Sequence, residues 1–364
     1  MTGKKFEPSA AAAALIGLLA LASAMGIGRF SLTPILPLMQ QDAGLTLTVG
    51  GWLATGNYLG YLVGALFCVA LTPAPAPAIR WGLLSVGLFT LAMGLSDGQP
   101  LWLALRFLAG VASAFVLVGT SAWAMPILAR HGREEWSGYV FAGVGIGIAF
   151  AGLFGLAAGI EAFGSRATWV ALGIVAIVLA ATLWRPLAAD AAPTMRAASQ
   201  ARPALARGYI DNPAMFGLIW PVFGAAAALS TYLSVRLGRT LAPWQLWMRA
   251  KWVLAAGVLA PALAINVPTL LISAVCVGGT FMVITMAGIK EGLRLGGAPP
   301  ARAIGVMTAA FGAGQIMGPL TVSLLGRSEH AFAWVSLVAA VGLVAGNCGL
   351  LFLGGRPSGE PDKA

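Results

Sequence analysis

Charged residues are scarce in this sequence, and so are the side chains that usually build metal and redox sites. Asp, Glu, Lys and Arg make up 9% of the 364 residues, whereas about 25% is usual for a soluble domain. The chain has only two histidines and three cysteines, and the cysteines lack the close spacing of metal ligands. These shortages exclude a soluble globular domain, and they lead us to expect no metal and no cofactor.

Acidic residues are also missing from the middle of the long apolar runs. Those nearest to such runs stand at their ends or in connecting segments: Asp42, Asp97, Glu161, Glu291 and Glu329. Proton-driven membrane proteins commonly carry a titratable side chain within their helices, so this shortage weakens a proton-coupled mechanism. Nucleophile–base pairs and phosphate-binding loops are absent as well. The chain is therefore not expected to be an enzyme, and a membrane-embedded enzyme for lipid-linked substrates is disfavoured.

Long apolar runs make up most of the chain. Hydrophobic residues account for 59% of it, and the mean hydropathy is +0.87. A bilayer core about 30 Å thick needs about 20 apolar residues for each helix that crosses it. The sequence predicts an all-α polytopic membrane protein with spans at residues 10–39, 47–71, 79–96, 101–128, 138–160, 167–184, 214–235, 244–265, 268–289, 302–325 and 331–353.

The net charge of +10 is spread over the connections between spans and forms no basic stripe. A nucleic-acid partner is therefore not expected, because short basic loops are what the positive-inside rule places in the cytoplasm. In the first half the basic connections alternate with acidic ones, and Arg166 is the exception. We expect a bacterial inner-membrane protein with a cytoplasmic N-terminus. The basic residues expected on that side are Lys4, Lys5, Arg80, Arg130, Arg133 and Arg185.

A change of composition divides the chain into two halves. Residues 1–184 hold six predicted spans and form an N-terminal bundle, and residues 214–364 form a C-terminal bundle of about five helices. Between them, residues 185–213 are rich in Ala, Pro and Arg and are predicted to be a cytoplasmic linker. The charges of the second half place the segment near Asp211 outside, whereas the arginines of the linker favour the inside. Either a helix is missing or the span at 214–235 does not cross fully.

Two arginines lie within predicted spans. Arg29 is in the first span, where Gly26 and Gly28 weaken the helix, and Arg106 is in the fourth, four residues before Gly110. An arginine in a membrane is costly unless it faces a polar cavity or a partner, so both are functional candidates. Two buried cations without buried anions suggest that a ligand supplies the negative charge. The alternative is that each arginine snorkels to an interface or caps backbone carbonyls at a helix break.

Polar and aromatic side chains at mid-span supply further candidates. Asn57, Tyr58 and Tyr61 lie in the second span, with Asn57 and Tyr61 one helical turn apart, and Gln315 lies in "GAGQIMGP". A buried amide needs hydrogen-bond partners. These side chains either join neighbouring helices or line a solute cavity. Together with the two arginines they are the candidate substrate-binding residues.

Small residues recur at every fourth position in two spans. The two sets are Gly56, Gly60 and Gly64 in the second span, and Gly143, Gly147, Ala151, Gly155 and Gly159 in the fifth. Residues four apart share one helix face, and small side chains there let two backbones approach closely. We interpret both stripes as tight packing faces, and such smooth faces also permit the rocking that alternating access requires.

Several segments resemble the YbfB/YjiJ-type branch of the major facilitator superfamily. They are "GIGRFSLTPILPLMQ", "GWLATGNYLGYLVGAL", "LRFLAGVASAFVLV", "YVFAGVGIGIAFAGLF" and "GGTFMVITMAG…AIGVMTAAFGAGQIMGPL". The resemblance covers about residues 25–325. It implies two six-helix bundles with both termini in the cytoplasm and a central cavity between them. It further implies secondary transport of a small solute by alternating access, commonly by a monomer in the lipid bilayer.

Individual positions carry this resemblance in detail. Arg106 and Gly110 match the R-x-x-x-G pattern of the superfamily's fourth helix, and "GVGIG" stands where its fifth helix is rich in glycine. The segment "GAGQIMGP" is similar to the pseudo-symmetric part of the eleventh helix. The resulting candidates for helix packing and gating are Gly56, Gly60, Gly64, Gly110, Gly143, Gly147, Gly155, Gly314, Gly318 and Pro319.

Two features depart from the family. The connection "TPAPAPAIRWG" lacks the acidic and basic pattern usual at that position, and the seventh helix is missing or degenerate, because "AMFGLIWPVFGAAAALSTYL" resembles the eighth. We predict a secondary-active or facilitative transporter of a small solute, with anionic solutes favoured. The alternative is a degenerate transporter that binds or scaffolds without moving a solute, because its C-terminal bundle lacks one wall.

Overall fold

The computed structural model describes residues 8–161, 163–188, 213–237, 240–263, 266–294, 314 and 331–354. Every regular element in these ranges is helical, which confirms the all-α prediction. The elements are α1 (Ala10–Leu21), a π-helical segment (Ala22–Arg29), α2 (Leu32–Asp42), α3 (Leu47–Leu71), α4 (Pro75–Leu95), α5 (Gln99–Arg130), a 3₁₀ turn (Glu134–Trp136), α6 (Ser137–Ile160), α7 (Ser165–Ala188), α8 (Pro213–Leu237), α9 (Pro243–Leu263), α10 (Val267–Arg294) and α11 (Ala331–Gly354).

The predicted spans coincide with these helices except for the one at 302–325, which lies outside the described residues. Within the described ranges, eight helical segments are long and apolar enough to cross a membrane. Several helices run past their predicted ends, because polar residues beyond an apolar run continue the backbone hydrogen bonds. The prediction of a multi-pass membrane protein is confirmed.

The first span is not one continuous α-helix. After α1 the backbone widens into the π-helical segment, and Phe30 donates its N–H to the carbonyl of Met25, five residues back, at 3.1 Å. Gly26 and Gly28 lower the local helix propensity, and Pro34 has no N–H to donate to the preceding turn. The weakness at the glycines thus becomes a break within the span, where backbone carbonyls need other partners.

The helices pack in two groups that meet along α6 and α8. In the first group α3 packs on α5, α4 packs on both α5 and α7, and the first span packs on α5 and α6. In the second group α10 packs on α8 and α9, and α9 packs on α11. The contact between α6 and α8 is the most extensive between any two elements of the described chain. It therefore fixes how the two groups lie against each other.

Helices α4 and α7 run antiparallel and define two faces of the molecule. Trp81, near the start of α4, packs against Trp184 near the end of α7, with ring centroids 5.1 Å apart. Gly94, near the end of α4, packs against the start of α7 at Arg166. The end with the two tryptophans is called the arginine-rich face, and it carries Arg80, Arg130, Arg133 and Arg185. The other end, with Asp42 and Asp97, is called the acidic face.

Arg166 is the basic residue of the first half that lies on the acidic face. Its guanidinium forms a two-pronged contact with Asp97, with Nη1 2.9 Å from Oδ1 and Nη2 3.0 Å from Oδ2. The exception in the sequence charge pattern is therefore a local ion pair, and it does not reverse the orientation that the other charges predict.

Helix α8 begins on the acidic face. Gly138, near the start of α6, packs against Thr231 near the end of α8, whereas Gly152 packs against Pro221 near the start of α8. Because α6 starts on the arginine-rich face, α8 ends there and starts on the opposite one. The end of α7 and the start of α8 thus lie on opposite faces. This is the arrangement that the charges of the second half required near Asp211, a residue outside the described ranges.

The last two described helices both end on the arginine-rich face. Lys290, near the end of α10, donates through Nζ to the carbonyl of Glu134 between α5 and α6, at 3.3 Å. Asn347, near the end of α11, donates through Nδ2 to the carbonyl of Met248 near the start of α9, at 3.3 Å. Since α9 follows the end of α8, its start lies on the arginine-rich face, and so does the end of α11.

One carboxylate is buried where the sequence suggested a span end or connection. Helix α10 continues to Arg294, past its predicted end at residue 289, because "KEGLR" contains good helix formers. Glu291 therefore lies inside the helix, and only 2% of it is exposed. Glu291 lies at the end of its span, as expected, and its burial is the feature that the sequence did not indicate.

Candidate functional site

Arg106 caps the break in the first span. It lies on α5 and is 1% exposed. Its Nη1 donates to the carbonyl of Gly28 at 2.8 Å, and its Nη2 donates to the carbonyl of Arg29 at 2.7 Å. A guanidinium presents its donors in a fixed fork, and a hydrogen bond to a charged group contributes about 1.5–3 kcal/mol. The structure thus places Arg106 at a helix break, in one of the two roles considered from the sequence.

A tryptophan covers the other side of the Arg106 guanidinium. The ring centroid of Trp169, on α7, lies 5.6 Å from Cζ of Arg106. Trp169 is itself 1% exposed, and its Nε1 donates to Sδ of Met39 at 3.4 Å. Arg106 is therefore fixed between the first span and α7.

Arg29 directs its guanidinium at aromatic faces. It is the last residue of the π-helical segment and is 3% exposed. Its Cζ lies 3.6 Å from the ring centroid of Tyr61, 5.6 Å from that of Tyr58 and 5.5 Å from that of Phe30. A cation over a ring face is attracted by about 2 kcal/mol or more when both are desolvated. We call Arg29, Tyr58 and Tyr61 the arginine–tyrosine cluster.

Asn57 and Gly110 hold α3 against α5 beside this cluster. Nδ2 of Asn57 donates to the carbonyl of Arg106 at 2.8 Å, and Asn57 is 1% exposed. Its Oδ1 has no hydrogen-bond partner among the described residues. A Cβ at Gly110 would overlap the carbonyl of Asn57, so a side chain there would push the helices apart. The candidate residues of α3 and α5 therefore belong to one packed unit.

The glycine stripe of α3 faces α5. The stripe consists of Gly56, Gly60 and Gly64, and its neighbours are Leu103, Phe107 and Val111. Both sets repeat every four residues, so the two helices stay in contact over about two turns. A Cβ on Gly60 would overlap the carbonyl of Phe107. The stripe thus sets the distance between the helices that carry Asn57 and Arg106.

The glycine stripe of α6 faces the first span. Gly143, Gly147 and Gly155 pack against Leu18, Ala22 and Pro34, respectively. Gly26, within the break, would meet the backbone of Gly147 if it carried a Cβ. The glycines of the break therefore serve close packing on α6 as well as the change of backbone path.

A second glycine face of α6 was not recognised from the sequence. Gly138, Gly145 and Gly152 pack against Thr231, Ala228 and Pro221 of α8, respectively. Their spacing of seven residues, about two helical turns, was the available signal, but the four-residue stripe obscured it. Helix α6 is therefore smooth on two sides, one toward the first span and one toward α8.

An aromatic cluster between the two groups of helices was also missed. Phe30 lies with its ring centroid 6.3 Å from Trp220 of α8 and 6.4 Å from Phe281 of α10. Phe223 lies 5.0 Å from Phe281. We call Phe30, Trp220, Phe223 and Phe281 the aromatic seam. Because Phe30 follows Arg29 directly, the seam lies next to the arginine–tyrosine cluster.

Methionine joins the two groups nearer to the arginine-rich face. Ser137, at the start of α6, donates through its hydroxyl to Sδ of Met286 in α10 at 3.5 Å. Ser234, near the end of α8, donates to the same sulfur at 3.8 Å. All three side chains are buried. This contact closes the packing between α6, α8 and α10 on that side.

The remaining candidates fall in or beside the predicted span at 302–325. Gln315, Gly318 and Pro319 lie outside the described residues, and their roles stay predictions. Gly314 is described and exposed, and no described atom lies within 4 Å of the position that a Cβ would take.

Comparisons with known proteins relate the chain to membrane transporters. The family model described as "Uncharacterised MFS-type transporter YbfB" matches residues 21–218 and 203–351. The chain is also 30% identical over 135 residues to "Uncharacterized MFS-type transporter YceJ" of Bacillus subtilis (strain 168). That match covers 35% of this chain and 31% of the relative, so the chain matches less than half of that relative's length.

Proposed function

We propose that this chain moves a small solute by alternating access, because it belongs to the YbfB-type branch of uncharacterised transporters in the major facilitator superfamily. The family and the long apolar helices establish a multi-pass membrane protein of a transporter family. The chemistry of the solute, the residues that bind it and the motion that carries it are parts of the proposal. The working unit is proposed to be a monomer in the bacterial inner membrane.

The observation that carries the proposal is the place of Arg29. Its charge is buried in the arginine–tyrosine cluster, at a break in the first span, and the next residue belongs to the aromatic seam between the two groups. A buried ionisable residue within a span marks a solute or ion pathway by default. Movement of the two groups of helices apart at the aromatic seam would therefore open a route to Arg29 before it reached residues deeper in the first group.

Two guanidinium groups buried in one bundle favour an anionic solute. Arg29 and Arg106 are 3% and 1% exposed, respectively, and both carry a permanent charge. Carboxylate and phosphate groups match the donor fork of a guanidinium. Because Phe30, the residue after Arg29, belongs to the aromatic seam between the two groups, we assign direct contact with the solute to Arg29. Oδ1 of Asn57 and the hydroxyl of Tyr58 would orient the rest of the solute.

The two smooth faces of α6 support the proposed motion. Glycines let α6 approach both the first span and α8 without interlocking side chains. Such a face at their boundary would permit one bundle to rock against the other, which is the motion of alternating access. The arginine-rich face lies in the cytoplasm in this proposal, because basic connections are retained there.

The binding part of the proposal is tested with purified full-length protein in detergent. A panel of small mono- and dicarboxylates and their neutral amides is screened by thermal shift. We expect at least one carboxylate to raise the unfolding temperature while its amide does not. Arg29→Gln should abolish that shift, and Arg236→Gln should retain it, because Arg236 is an exposed arginine of α8 outside the cluster. Stabilisation by amides alone, or an undiminished shift in Arg29→Gln, would contradict the anionic assignment.

The transport part is tested in proteoliposomes with the carboxylate so identified, carried as a radiolabel. We expect saturable uptake by the wild type and by Arg236→Gln, and none by Arg29→Gln. Binding without uptake would favour the second candidate function.

The second candidate is a degenerate transporter that binds without moving its solute. It is favoured by one observation: α7 ends and α8 begins on opposite faces, while the sequence at 189–212 includes Arg196, Arg202 and Arg207 and no long apolar run. Such a sequence is a poor membrane span. Binding by the cluster would then persist without the motion.

A further inference from the structure

We propose that a groove on the outer surface of α4 and α7 binds an anionic phospholipid, with the phosphate at Arg80 and Arg185. The groove has a volume of about 570 Å³. It lies apart from the arginine–tyrosine cluster and from the aromatic seam. Its lining residues are Leu84, Ile177, Ala180, Ala181, Thr182, Trp184 and Arg185.

The groove runs inward from the arginine-rich face along two helices. Leu84 lies nine residues from the start of α4, and Ile177 lies eleven residues from the end of α7. At 1.5 Å per residue these positions are about 13–17 Å along the helices, which is about half of a 30 Å bilayer core. The groove thus has the length and direction of an acyl chain that descends from a headgroup at the membrane surface.

The inner part of the groove is apolar. Leu84, Ile177 and Ala180 line it with hydrocarbon, and Thr182 turns its hydroxyl to the carbonyl of Leu179 at 2.8 Å. The one polar side chain of the inner wall is therefore satisfied by its own helix. An acyl chain would meet carbon atoms along this part of the groove.

The outer end of the groove is cationic. Arg80 lies one turn before Leu84 on the same face of α4, and its Cζ is 5.3 Å from the ring centroid of Trp184. Arg185 is exposed at the rim. Among the described residues neither arginine has an ion-pair partner, and Nε of Arg80 has no hydrogen-bond partner. Two cations without an anionic partner among the described residues stand where a lipid phosphate would lie.

Two tryptophans mark the depth of the headgroup. The rings of Trp81 and Trp184 pack edge to face at the mouth of the groove. Tryptophan concentrates at the level of lipid headgroups because its ring is apolar and its N–H is polar. Basic pockets between membrane helices on the cytoplasmic side bind anionic headgroups. The apolar floor selects a lipid over a free anion, and the arginines select an anionic over a zwitterionic headgroup.

The test uses the full chain in phosphatidylcholine nanodiscs that contain a photoactivatable phosphatidylglycerol, with a diazirine in one acyl chain. A phosphatidylcholine probe with the same diazirine is used in parallel. After irradiation, labelled residues are mapped by mass spectrometry. We expect the phosphatidylglycerol probe to label residues 177–185 more strongly than the other probe does. Unlabelled phosphatidylglycerol should compete, whereas inorganic phosphate should not.

The variants separate headgroup from acyl contact. A basic residue near an anionic lipid contributes about fivefold in affinity, so R80Q/R185Q should lose about 25-fold at low probe concentration. Ala181→Phe obstructs the groove and should reduce labelling while both arginines remain. Arg236→Gln, an exposed arginine on the same face, should leave labelling unchanged.

Any outcome other than these contradicts the proposal. Equal labelling by the two probes removes the headgroup preference, and competition by inorganic phosphate indicates a free-anion site. Undiminished labelling in R80Q/R185Q removes the role of the arginines. Elution as a single species verifies the fold of each variant. Should the double variant misfold, Arg185→Gln carries the headgroup test, because Arg185 is exposed.

Discussion

Arg106 holds the backbone that presents Arg29. Its Nη2 donates to the carbonyl of Arg29 at 2.7 Å, and its Nη1 donates to the preceding Gly28 at 2.8 Å. One buried arginine therefore fixes the position of the other through the main chain. The two guanidinium groups differ in their neighbours: that of Arg106 contacts carbonyls, and that of Arg29 contacts ring faces. Substitutions at the two positions should have different consequences.

Replacing each arginine by lysine should show that Arg106 contributes more to stability than Arg29 does. Arg106→Lys exchanges a fork of donors for a single ammonium group, and we expect the loss of about 1.5–3 kcal/mol of stability as one carbonyl loses its donor. Arg29→Lys should cost less, because an ammonium group is also attracted by aromatic faces. Thermal unfolding of the purified variants measures both. Equal losses would show that the two arginines do not differ in role.

The approach of α3 to α5 predicts opposite effects for two glycines of one helix. Gly60→Ala places a Cβ into the carbonyl of Phe107, so we expect a loss of about 1–3 kcal/mol from overpacking. Gly51→Ala meets no atom within 4 Å and should stabilise the helix by about 0.5–1 kcal/mol. Thermal unfolding of the pair tests this. A neutral Gly60→Ala would mean that the helices separate at no cost.

Two carboxylates on the acidic face should differ in their contribution to stability. Asp42 accepts hydrogen bonds from the backbone N–H and the hydroxyl of Ser165, the first residue of α7. A carboxylate at a helix N-terminus satisfies a backbone donor and the helix dipole. Asp42→Ala should therefore cost about 1–2 kcal/mol. Asp97→Ala should cost less than about 1 kcal/mol, because its ion pair with Arg166 is largely exposed. Similar losses at both sites would argue against capping.

The sulfur of Met286 predicts a conformational effect with little change in volume. Met286→Leu keeps the apolar bulk but removes the acceptor of Ser137 and Ser234. In a Ser234→Cys background Ser137 is the described hydroxyl that still donates to this sulfur, and Met286→Leu removes that hydrogen bond. We expect two- to fivefold faster alkylation of the introduced cysteine, which corresponds to the loss of one weak hydrogen bond. Met248→Leu, at the start of α9, serves as the control. Equal alkylation rates in both variants would assign the closure to packing alone.

The orientation of the two faces is testable in intact cells. In a background without the native cysteines, His131→Cys reports the arginine-rich face and Glu161→Cys reports the acidic face, since both positions are exposed. A membrane-impermeant maleimide should label Glu161→Cys before lysis and His131→Cys only after it. The reverse pattern would place the arginine-rich face outside.

The sequence predicted the helices because apolar length alone decides whether a segment can cross a bilayer. It also indicated the break near Gly26 and Gly28, since glycine weakens a helix locally. It did not show which carbonyls Arg106 would cap. Gly28 and Arg106 are 78 residues apart, and only the packing of α5 on the first span brings them together.

Other parts of the site depend on pairings that no single segment contains. Trp220 and Phe223 lie one turn apart in α8, but their role at the seam requires Phe30 and Phe281 from two other helices. The burial of Glu291 likewise depends on how far α10 continues and on what packs around its end. A local sequence pattern predicts which face of a helix packs, but which helix packs against that face is decided by the three-dimensional arrangement.

The two glycine faces of α6 leave this helix almost no room for change. A methyl group added toward the first span at Gly147, or toward α8 at Gly145, meets backbone atoms that cannot rotate away. The strip with Ile146, Phe150 and Leu153, which are 44%, 40% and 56% exposed, is free to vary in size. Helix α6 thus acts as a thin spacer, and its narrowness sets how closely the two halves of the protein can approach.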